Sequence, residues 1–283
     1  MSLNKNYLKS LIKKELSEDI GRGDITTKLT ISKEVEVISE IIAQEEQIIA
    51  GLETIKTGFK IVDAQTKVKL LAKEGKRVKK GERIAEITGK ACSILSGERT
   101  VLNFLQRMCG IATLTSKFVK ETEGYRCKIL DTRKTTPGLR KLEKYAVTVG
   151  GGCNHRFGLY DQILIKDTHL KIIPDIKNTL REMRSKTSLK TEVEVASKQE
   201  LNEVLNEKID VVMLDNMSVS KLKEAVSLIK KKNKKIKIEV SGNINLKKIR
   251  KIAKLGVDFI SVGALTHSFK ATNLSLKIKE VIR

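Results

Sequence analysis

Cationic side chains and glycines are concentrated between Asp131 and His169, and these residue types suit a small polyanionic ligand. The segment reads DTRKTTPGLRKLEKYAVTVGGGCNHRFGLYDQILIKDTH. Arg can bind a carboxylate or phosphate through two parallel hydrogen bonds, whereas Lys supplies a mobile point charge. We therefore predict an anion-binding cluster of Arg133, Lys134, His155, Arg156 and Lys166. Solvated charge on a predicted helix is the simpler interpretation for Arg140, Lys141 and Lys144.

Two carboxylates, Glu194 and Asp215, each lie near the end of a predicted strand. With a substrate that carries pyrophosphate, they could hold Mg²⁺ directly or through its water shell. They could instead stabilise positive charge that develops on the substrate, or form a structural ion pair. Glu192 faces the same side of its strand as Glu194, because side chains alternate with a period of two. Spacing alone does not choose between these two glutamates.

Two glycine-containing loops are candidates for phosphate binding. They are SGN (Ser241, Gly242 and Asn243) and VGA (Val262, Gly263 and Ala264). Each follows a predicted strand and precedes a predicted helix, where backbone N–H groups can bind phosphate. Arg99 lies in SGERTVLNFLQRMCGIAT, near the start of another predicted helix that Ser96 would cap. A charged helix face is an equally simple interpretation of Arg99.

The elements that would position these residues differ between the two halves of the chain. Up to about residue 110, an N-terminal amphipathic helix is followed by GDITT and by alternating segments that predict antiparallel strands. From Cys127, the candidate strands CKILD, QILIK, TEVEVA, IDVVMLD, IKIEVS and DFISVG alternate with predicted helices. This rhythm indicates a parallel α/β barrel, in which catalytic groups gather at the carboxyl ends of the strands. Six strands are fewer than eight, so we expect an open or incomplete barrel.

Composition narrows the class of protein. The 283 residues carry 56 Lys and Arg against 34 Asp and Glu, a net charge of +22 that raises the possibility of nucleic-acid binding. Lysines are spread along the whole chain and aromatic residues make up only 4%, so solvated lysine faces are the simpler explanation. No apolar run is long enough for a membrane helix, and the N-terminus does not resemble a signal peptide. We expect a cytoplasmic protein without a membrane or nucleic-acid partner, whose four cysteines are reduced.

Taken together, these motifs resemble the quinolinate phosphoribosyltransferase family. The matching segments are GDITT, SGERTVLNFLQRMCGIAT, DTRKTTPGLRKLEKYAVTVGGGCNHRFGL, LIKDTH, EVEV, MLDNM, SGN and SVGALTHS. They occur in family order over nearly the whole chain. The block from DTRKTTPGLR to NHR is highly specific, whereas EVEV or VGA alone is not.

The resemblance implies an N-terminal open-faced α/β sandwich (1–110) and an incomplete, open α/β barrel of parallel strands (111–271). A C-terminal helix (272–283) would pack back on the sandwich. It also implies a homodimer or a higher assembly of dimers. The substrates would be quinolinate and phosphoribosyl pyrophosphate, with Mg²⁺ as cofactor. The products would be nicotinate mononucleotide, CO₂ and pyrophosphate, formed in de novo NAD biosynthesis.

The same resemblance assigns roles to residues. The quinolinate-binding set would be Thr132, Arg133, Lys134, His155, Arg156 and Lys166, with Arg99 contributed by a neighbouring subunit. Lys134, Lys166, Glu194 and Asp215 would be catalytic, and the two carboxylates would also hold the metal, directly or through water. The phosphate loops would be Ser241–Asn243 and Val262–Ala264.

Two positions depart from the family pattern and bear on substrate preference. Thr168 stands where Asn is frequent, and Asn243 stands where Gly is common. One alternative is a phosphoribosyltransferase of the same fold that acts on another pyridine or a related anion. The others are a basic nucleic-acid-binding protein and a homologue that has lost activity, although every charged motif position is retained.

Overall fold

The computed structural model describes residues 3–282, and these form two compact units. The first unit comprises Met1–Ser116, Pro137–Gly151 and Phe269–Arg283, and the second comprises Lys117–Thr136 and Gly152–Ser268. The helices are α1 (Lys5–Ile20), α2 (Ile25–Thr30), α3 (Leu52–Val62), α4 (Ala91–Glu121), α5 (Arg140–Val149), α6 (Asp167–Leu170), α7 (Ile176–Lys186), α8 (Lys198–Val204), α9 (Val219–Lys232), α10 (Leu246–Ala253) and α11 (Ala264–His267). The strands are β1 (Glu36–Ala43), β2 (Gln47–Ile48), β3 (Lys67–Leu70), β4 (Arg77–Val78), β5 (Arg83–Lys90), β6 (Lys128–Leu130), β7 (Ile163–Ile165), β8 (Thr191–Val195), β9 (Val211–Asp215), β10 (Lys237–Ser241), β11 (Phe259–Ser261) and β12 (Leu274–Val281).

The first unit is built on a four-stranded antiparallel sheet in the order β12-β1-β5-β3. Ile41 and Ile87 of this sheet pack with Phe59 of α3 and Leu105 of α4 in one buried cluster. Burying each such side chain contributes about 1.5–3 kcal/mol, which is why an alternating strand and an amphipathic helix are held together. The antiparallel strands and the helix predicted in this half are confirmed.

The C-terminal segment is a strand, and the prediction of a helix over 272–283 was wrong. β12 pairs antiparallel with β1, with Leu274 opposite Ala43 and Leu276 opposite Ile41. The sequence NLSLKIK alternates apolar and polar residues, which is the period of a half-buried strand. This segment therefore completes the sheet of the first unit.

Two further expectations for the first unit need correction. α4 begins at Ala91, directly after β5, so Ser96 lies inside the helix and does not cap it. The hydroxyl of Ser96 instead donates to Asp24, which caps α2. Lys144 is fully buried on α5 rather than solvated, beside a buried Glu143 that pairs with Arg107 at 2.5 Å. The reason is the apolar face of α5, which carries both residues inward with Leu142 and Val147.

The second unit contains a six-stranded parallel sheet in the order β6-β11-β10-β9-β8-β7, so all six predicted strands are confirmed. The first of these strands along the chain, β6, pairs with the last, β11, as in a barrel. Within the described residues β6 and β7 do not pair with each other, and only a bridge from Leu130 to Cys153 extends the sheet on that side. The barrel is therefore incomplete. Because the strands are parallel, their carboxyl ends lie along one edge.

Two chemical properties of the described chain complete the fold. All four cysteines are free thiols, as predicted, and burial raises the pKa of Cys109 to about 12. Among residues 3–282, no helix combines the length and hydrophobicity needed to cross a membrane.

Candidate active site

A cavity of about 690 Å³ opens at the carboxyl ends of the parallel strands in the second unit. It is lined by residues from every strand end and from the loops that follow them. The predicted residues among them are Thr132, Arg133, Lys134, His155, Arg156, Lys166, Glu194, Asp215, Ser241, Gly242, Asn243, Gly263 and Ala264. The parallel sheet thus brings together residues that lie more than 130 positions apart in the sequence.

Guanidinium groups form the most buried positive charge in the cavity. Arg156 is 8% exposed, and burial, followed by the charge of Arg133, lowers its pKa. Its Nη1 donates to the carbonyl oxygen of Gln162 at 3.2 Å. The Nε of Arg133 is buried and has no hydrogen-bond acceptor among the described residues. An anion at this position would offset the repulsion between the two guanidinium groups and would accept a hydrogen bond from the unpaired Nε. The arrangement therefore favours an anionic ligand.

The acidic side of the cavity comes from two neighbouring strands. Glu194 is the penultimate residue of β8, and its Oε2 accepts a hydrogen bond from Lys166 Nζ at 2.8 Å. Asp215 ends β9, and its Oδ2 accepts from the side-chain amide of Asn216 at 2.6 Å. Two carboxylates from adjacent strands beside a cationic cluster are a donor set that suits Mg²⁺ carried by a phosphate-bearing substrate. The chemistry of the donor set therefore fits the predicted metal.

The SGN loop is held by an interaction that the sequence did not predict. Asn243 Nδ2 donates to Asn216 Oδ1 at 3.0 Å, and both asparagines have left-handed backbones with φ near 50°. Gly242 has φ of 90°, and a Cβ there would lie 2.3 Å from Asn216 Oδ1. Within the described chain, no backbone hydrogen bond uses the N–H groups of Gly242 and Asn243. The loop therefore presents backbone donors to the cavity, as phosphate binding requires.

Two predicted site residues are not part of this cavity. Val262 is buried, and its N–H donates to the carbonyl oxygen of Leu130 at 2.9 Å, so this amide is not available to a phosphate. The reason is that Val262 still continues the ladder between β11 and β6. Arg99 is an exposed residue of α4 in the first unit and is not among the residues that line the cavity.

Glu192 and Glu194 lie on the same side of β8, but Glu194 is nearer to the carboxyl end of the strand, where the cavity opens. Glu194 lines the cavity, whereas Glu192 is fully buried and its Oε2 lies 3.1 Å from His155 Nε2. Glu239 of β10 is also buried and lies 3.5 Å from the same nitrogen. In the described chain these three residues form the group with metal-binding spacing, and it includes neither Glu194 nor Asp215. Sequence reasoning missed Glu239, although a Glu within the apolar strand IKIEVS was a detectable signal.

Arg and Lys side chains, two carboxylates and a glycine loop in one cavity can hold a substrate with several negative charges and stabilise a sugar that becomes cationic. Ser261, Met213 and His267 also line the cavity but were not predicted. His169 does not line it; its Nδ1 accepts the N–H of Lys166 at the start of α6.

Comparison with known proteins gives two family matches that cover most of the chain. Residues 24–109 match the quinolinate phosphoribosyl transferase N-terminal domain. Residues 111–277 match the quinolinate phosphoribosyl transferase C-terminal domain.

Individual relatives are similar over nearly the whole of this chain. The probable nicotinate-nucleotide pyrophosphorylase (carboxylating) of Bacillus subtilis is 42% identical over 278 residues, covering 98% of this chain and 95% of that protein. The chloroplastic nicotinate-nucleotide pyrophosphorylase (carboxylating) of Arabidopsis thaliana is 41% identical, covering 96% of this chain and 82% of that protein. The solved structure of the Francisella tularensis nicotinate-nucleotide pyrophosphorylase superposes with a TM-score of 0.91 at 40% identity, covering 98% of each chain.

Proposed function

The chain belongs to the quinolinate phosphoribosyltransferase family, and from this premise we propose that the cavity of the parallel sheet is its active site. The protein is a decarboxylating quinolinate phosphoribosyltransferase of NAD biosynthesis. The observation that carries the site assignment is the convergence of four cations, two carboxylates and the SGN loop on one 690 Å³ cavity. The reaction joins quinolinate to phosphoribosyl pyrophosphate and releases CO₂ and pyrophosphate.

In this proposal, quinolinate is held by Arg133, Lys134, Arg156 and Lys166, with Thr132 and His155 beside it. The cations bind the two carboxylates of quinolinate and direct its ring nitrogen towards the sugar carbon. The buried Nε of Arg133, which has no acceptor among the described residues, supports this arrangement, because an anionic ligand would accept its hydrogen bond.

Phosphoribosyl pyrophosphate lies across the acidic side of the cavity. Pyrophosphate departure leaves positive charge on the sugar, which Glu194 and Asp215 stabilise. The N–H groups of Gly242 and Asn243, with Ser241, Gly263 and Ala264, bind phosphate. Glu194 and Asp215 would hold Mg²⁺, directly or through water, and the ion would neutralise the leaving pyrophosphate. Ribosylation makes the ring cationic, so the ring carbon retains the electron pair of the breaking C–C bond as CO₂ leaves. That carbon then takes up a proton, and Lys134 or Lys166 assists as a cation.

Assembly is part of the proposal. We propose a homodimer, or a higher assembly of dimers, in which Arg99 of one subunit enters the site of the other. The exposure of Arg99, and its place in the first unit rather than in the cavity, are compatible with this role. The cytoplasmic location remains a prediction from the sequence.

Product analysis tests the substrate assignment. Purified protein is mixed with phosphoribosyl pyrophosphate, Mg²⁺ and either quinolinate or nicotinate. We expect nicotinate mononucleotide and CO₂ from quinolinate and no mononucleotide from nicotinate. Product from nicotinate, or none from either in folded protein, would indicate a different anion on the same fold.

A further inference from the structure

Segment 132–136 carries Arg133 and Lys134, which line the cavity, but it belongs to no helix or strand. The N–H of Lys134 donates to Thr132 Oγ1 at 3.1 Å, and the N–H of Thr135 donates to the carbonyl oxygen of Arg133 at 2.9 Å. Both bonds join residues two positions apart, so they shape the segment without attaching it to the parallel sheet. The attachment must come from other contacts.

Thr266 of α11 provides one such contact. Its hydroxyl donates to the carbonyl oxygen of Lys134 at 2.8 Å, across 132 positions of sequence. A threonine in a helix commonly donates its hydroxyl to a carbonyl oxygen three or four positions earlier in the same helix. Here that acceptor, the carbonyl oxygen of Gly263, is 3.3 Å away, so the bond to Lys134 is the shorter one. Because Thr266 is only 1% exposed, water competes little for its hydroxyl.

Gly263, at the start of α11, also lies against Lys134. A Cβ added to Gly263 would be 3.3 Å from Lys134 Cδ and 3.0 Å from His267 Nε2. The N–H of Thr266 donates to the carbonyl oxygen of Gly263 at 3.1 Å. Since β11 and β6 are parallel neighbours, the loop after β11 and the segment after β6 leave the sheet side by side. Thr266 therefore joins segment 132–136 to the loop that contains Gly263.

We propose that Thr266 is a positioning residue whose hydroxyl holds segment 132–136 against the loop after β11. The bond thereby sets the place of Arg133 and Lys134 in the cavity. Thr266 does not line the cavity, although its neighbour His267 does, so it acts through the segment and not by contact with a substrate. That the two cations bind quinolinate rests on the proposed function, whereas the attachment of the segment does not.

Steady-state kinetics of two variants tests the role of the hydroxyl. Valine has nearly the shape of threonine but no donor, so Thr266→Val should raise the KM for quinolinate roughly three- to tenfold. The KM for phosphoribosyl pyrophosphate should stay within about twofold of the wild-type value, because the N–H of residue 266 still holds Gly263. Thr266→Ser keeps the hydroxyl and should restore the KM for quinolinate to within about twofold of wild type.

Thr122→Val is the matched control. Thr122 is also a buried threonine of the second unit, and its hydroxyl donates to the carbonyl oxygen of Val119 at 2.8 Å. Neither residue lines the cavity, so this variant should keep both KM values. An unchanged KM for quinolinate in Thr266→Val, an equal rise in both KM values, or no recovery in Thr266→Ser would overturn the proposal. If Thr266→Val does not fold, Thr266→Ala, which also lacks the hydroxyl, takes its place.

Limited proteolysis tests the attachment without any substrate. Trypsin cuts after Lys and Arg but needs a locally opened chain, so its rate follows the population in which segment 132–136 is detached. Cleavage between Lys134 and Thr135 is followed by mass spectrometry of the fragments 1–134 and 135–283. We expect it to be several-fold faster in Thr266→Val than in wild type, Thr266→Ser or Thr122→Val. Equal rates in all four proteins would contradict the attachment.

If wild-type protein does not convert quinolinate, the proposed function fails on its own. The trypsin measurement uses ligand-free protein and still decides whether Thr266 holds the segment. The two failures are therefore distinguishable.

Discussion

At the scale of the residue, Lys166 connects the cationic and acidic sides of the site. It lines the cavity, and its Nζ lies 2.8 Å from Glu194 Oε2, whose side chain is only 9% exposed. In the proposed site, removing this lysine would delete a substrate contact, and it would also leave a nearly buried carboxylate without its partner. Both effects should lower kcat/KM.

We predict that Lys166→Met lowers kcat/KM about a hundredfold or more, which corresponds to roughly 2–4 kcal/mol of lost transition-state stabilisation. Steady-state kinetics with quinolinate measures this. Lys223→Met, at an exposed position of α9, is the control and should behave as wild type. Near-normal turnover of Lys166→Met would reject a catalytic role for the ammonium group.

Glu239 should give the protein a characteristic dependence of stability on pH. Its pKa in the folded protein, about 8, lies above the ordinary value of 4.5. The stabilising contribution of the neutral group is therefore complete below pH 4.5 and is lost as the pH rises through the folded value. The Gln variant does not titrate at this position. Between about pH 5 and pH 8 the Tm of Glu239→Gln should therefore rise relative to that of wild type, and the corresponding difference in free energy of unfolding should change by more than about 1 kcal/mol. A constant difference in Tm across this range would show that Glu239 is already ionised.

At the scale of the element, the loops that follow β9 and β10 are shaped by the close approach of Gly242 to Asn216. Gly242 has φ of 90°, and the Asn216 side chain occupies the space of the missing Cβ. A methyl group there must displace Asn216, which connects Asn243 to Asp215. The shape of the proposed phosphate loop and the orientation of Asp215, the proposed metal-binding carboxylate, are therefore coupled through Asn216.

We predict that Gly242→Ala raises the KM for phosphoribosyl pyrophosphate roughly tenfold or more and costs on the order of 1–3 kcal/mol of stability. Gly124→Ala is a matched control, since Gly124 has φ of 85° but nothing within 4 Å of the added Cβ. The control should lose stability without a change in KM. If both variants have wild-type KM, the close approach does not shape the substrate site.

At the scale of the whole molecule, the site is incomplete in one chain if Arg99 is supplied by a neighbour. Arg99→Ala and Lys134→Ala should each be nearly inactive as homodimers. Mixed dimers of the two variants should recover activity, because one of their two sites then contains both an intact Arg99 and an intact Lys134. Activity of the mixture measures this, with subunit exchange confirmed by mass spectrometry. Absence of recovery after exchange would argue against a shared site.

The net charge of +22 also acts on the whole molecule. It provides a positive field that attracts anionic substrates over a distance set by the ionic strength. The family match explains the ordered residues at the strand ends, which a basic nucleic-acid-binding protein would not require.

Much of the fold and of the site could be predicted, because the spacing of apolar residues and short sequence motifs indicate them. Short apolar segments predicted all six parallel strands. The residues at or near the carboxyl ends of these strands predicted Arg133, Lys166, Glu194 and Asp215, which line the cavity. The C-terminal strand was missed because a short amphipathic segment is compatible with either period until a partner strand is known. Ser96 was misassigned because β5 runs directly into α4 without a capping residue.

The sequence by itself determined the family, the strand–helix rhythm and the chemical types at the strand ends, because these depend on neighbours along the chain. Only the tertiary structure decided the depth of each side chain: Glu194 in the cavity, Glu192 and Glu239 beside the ring of His155, and Val262 in the ladder. Depth depends on which strands are adjacent and how far each extends. Those contacts join residues distant in sequence, so no local pattern contains them.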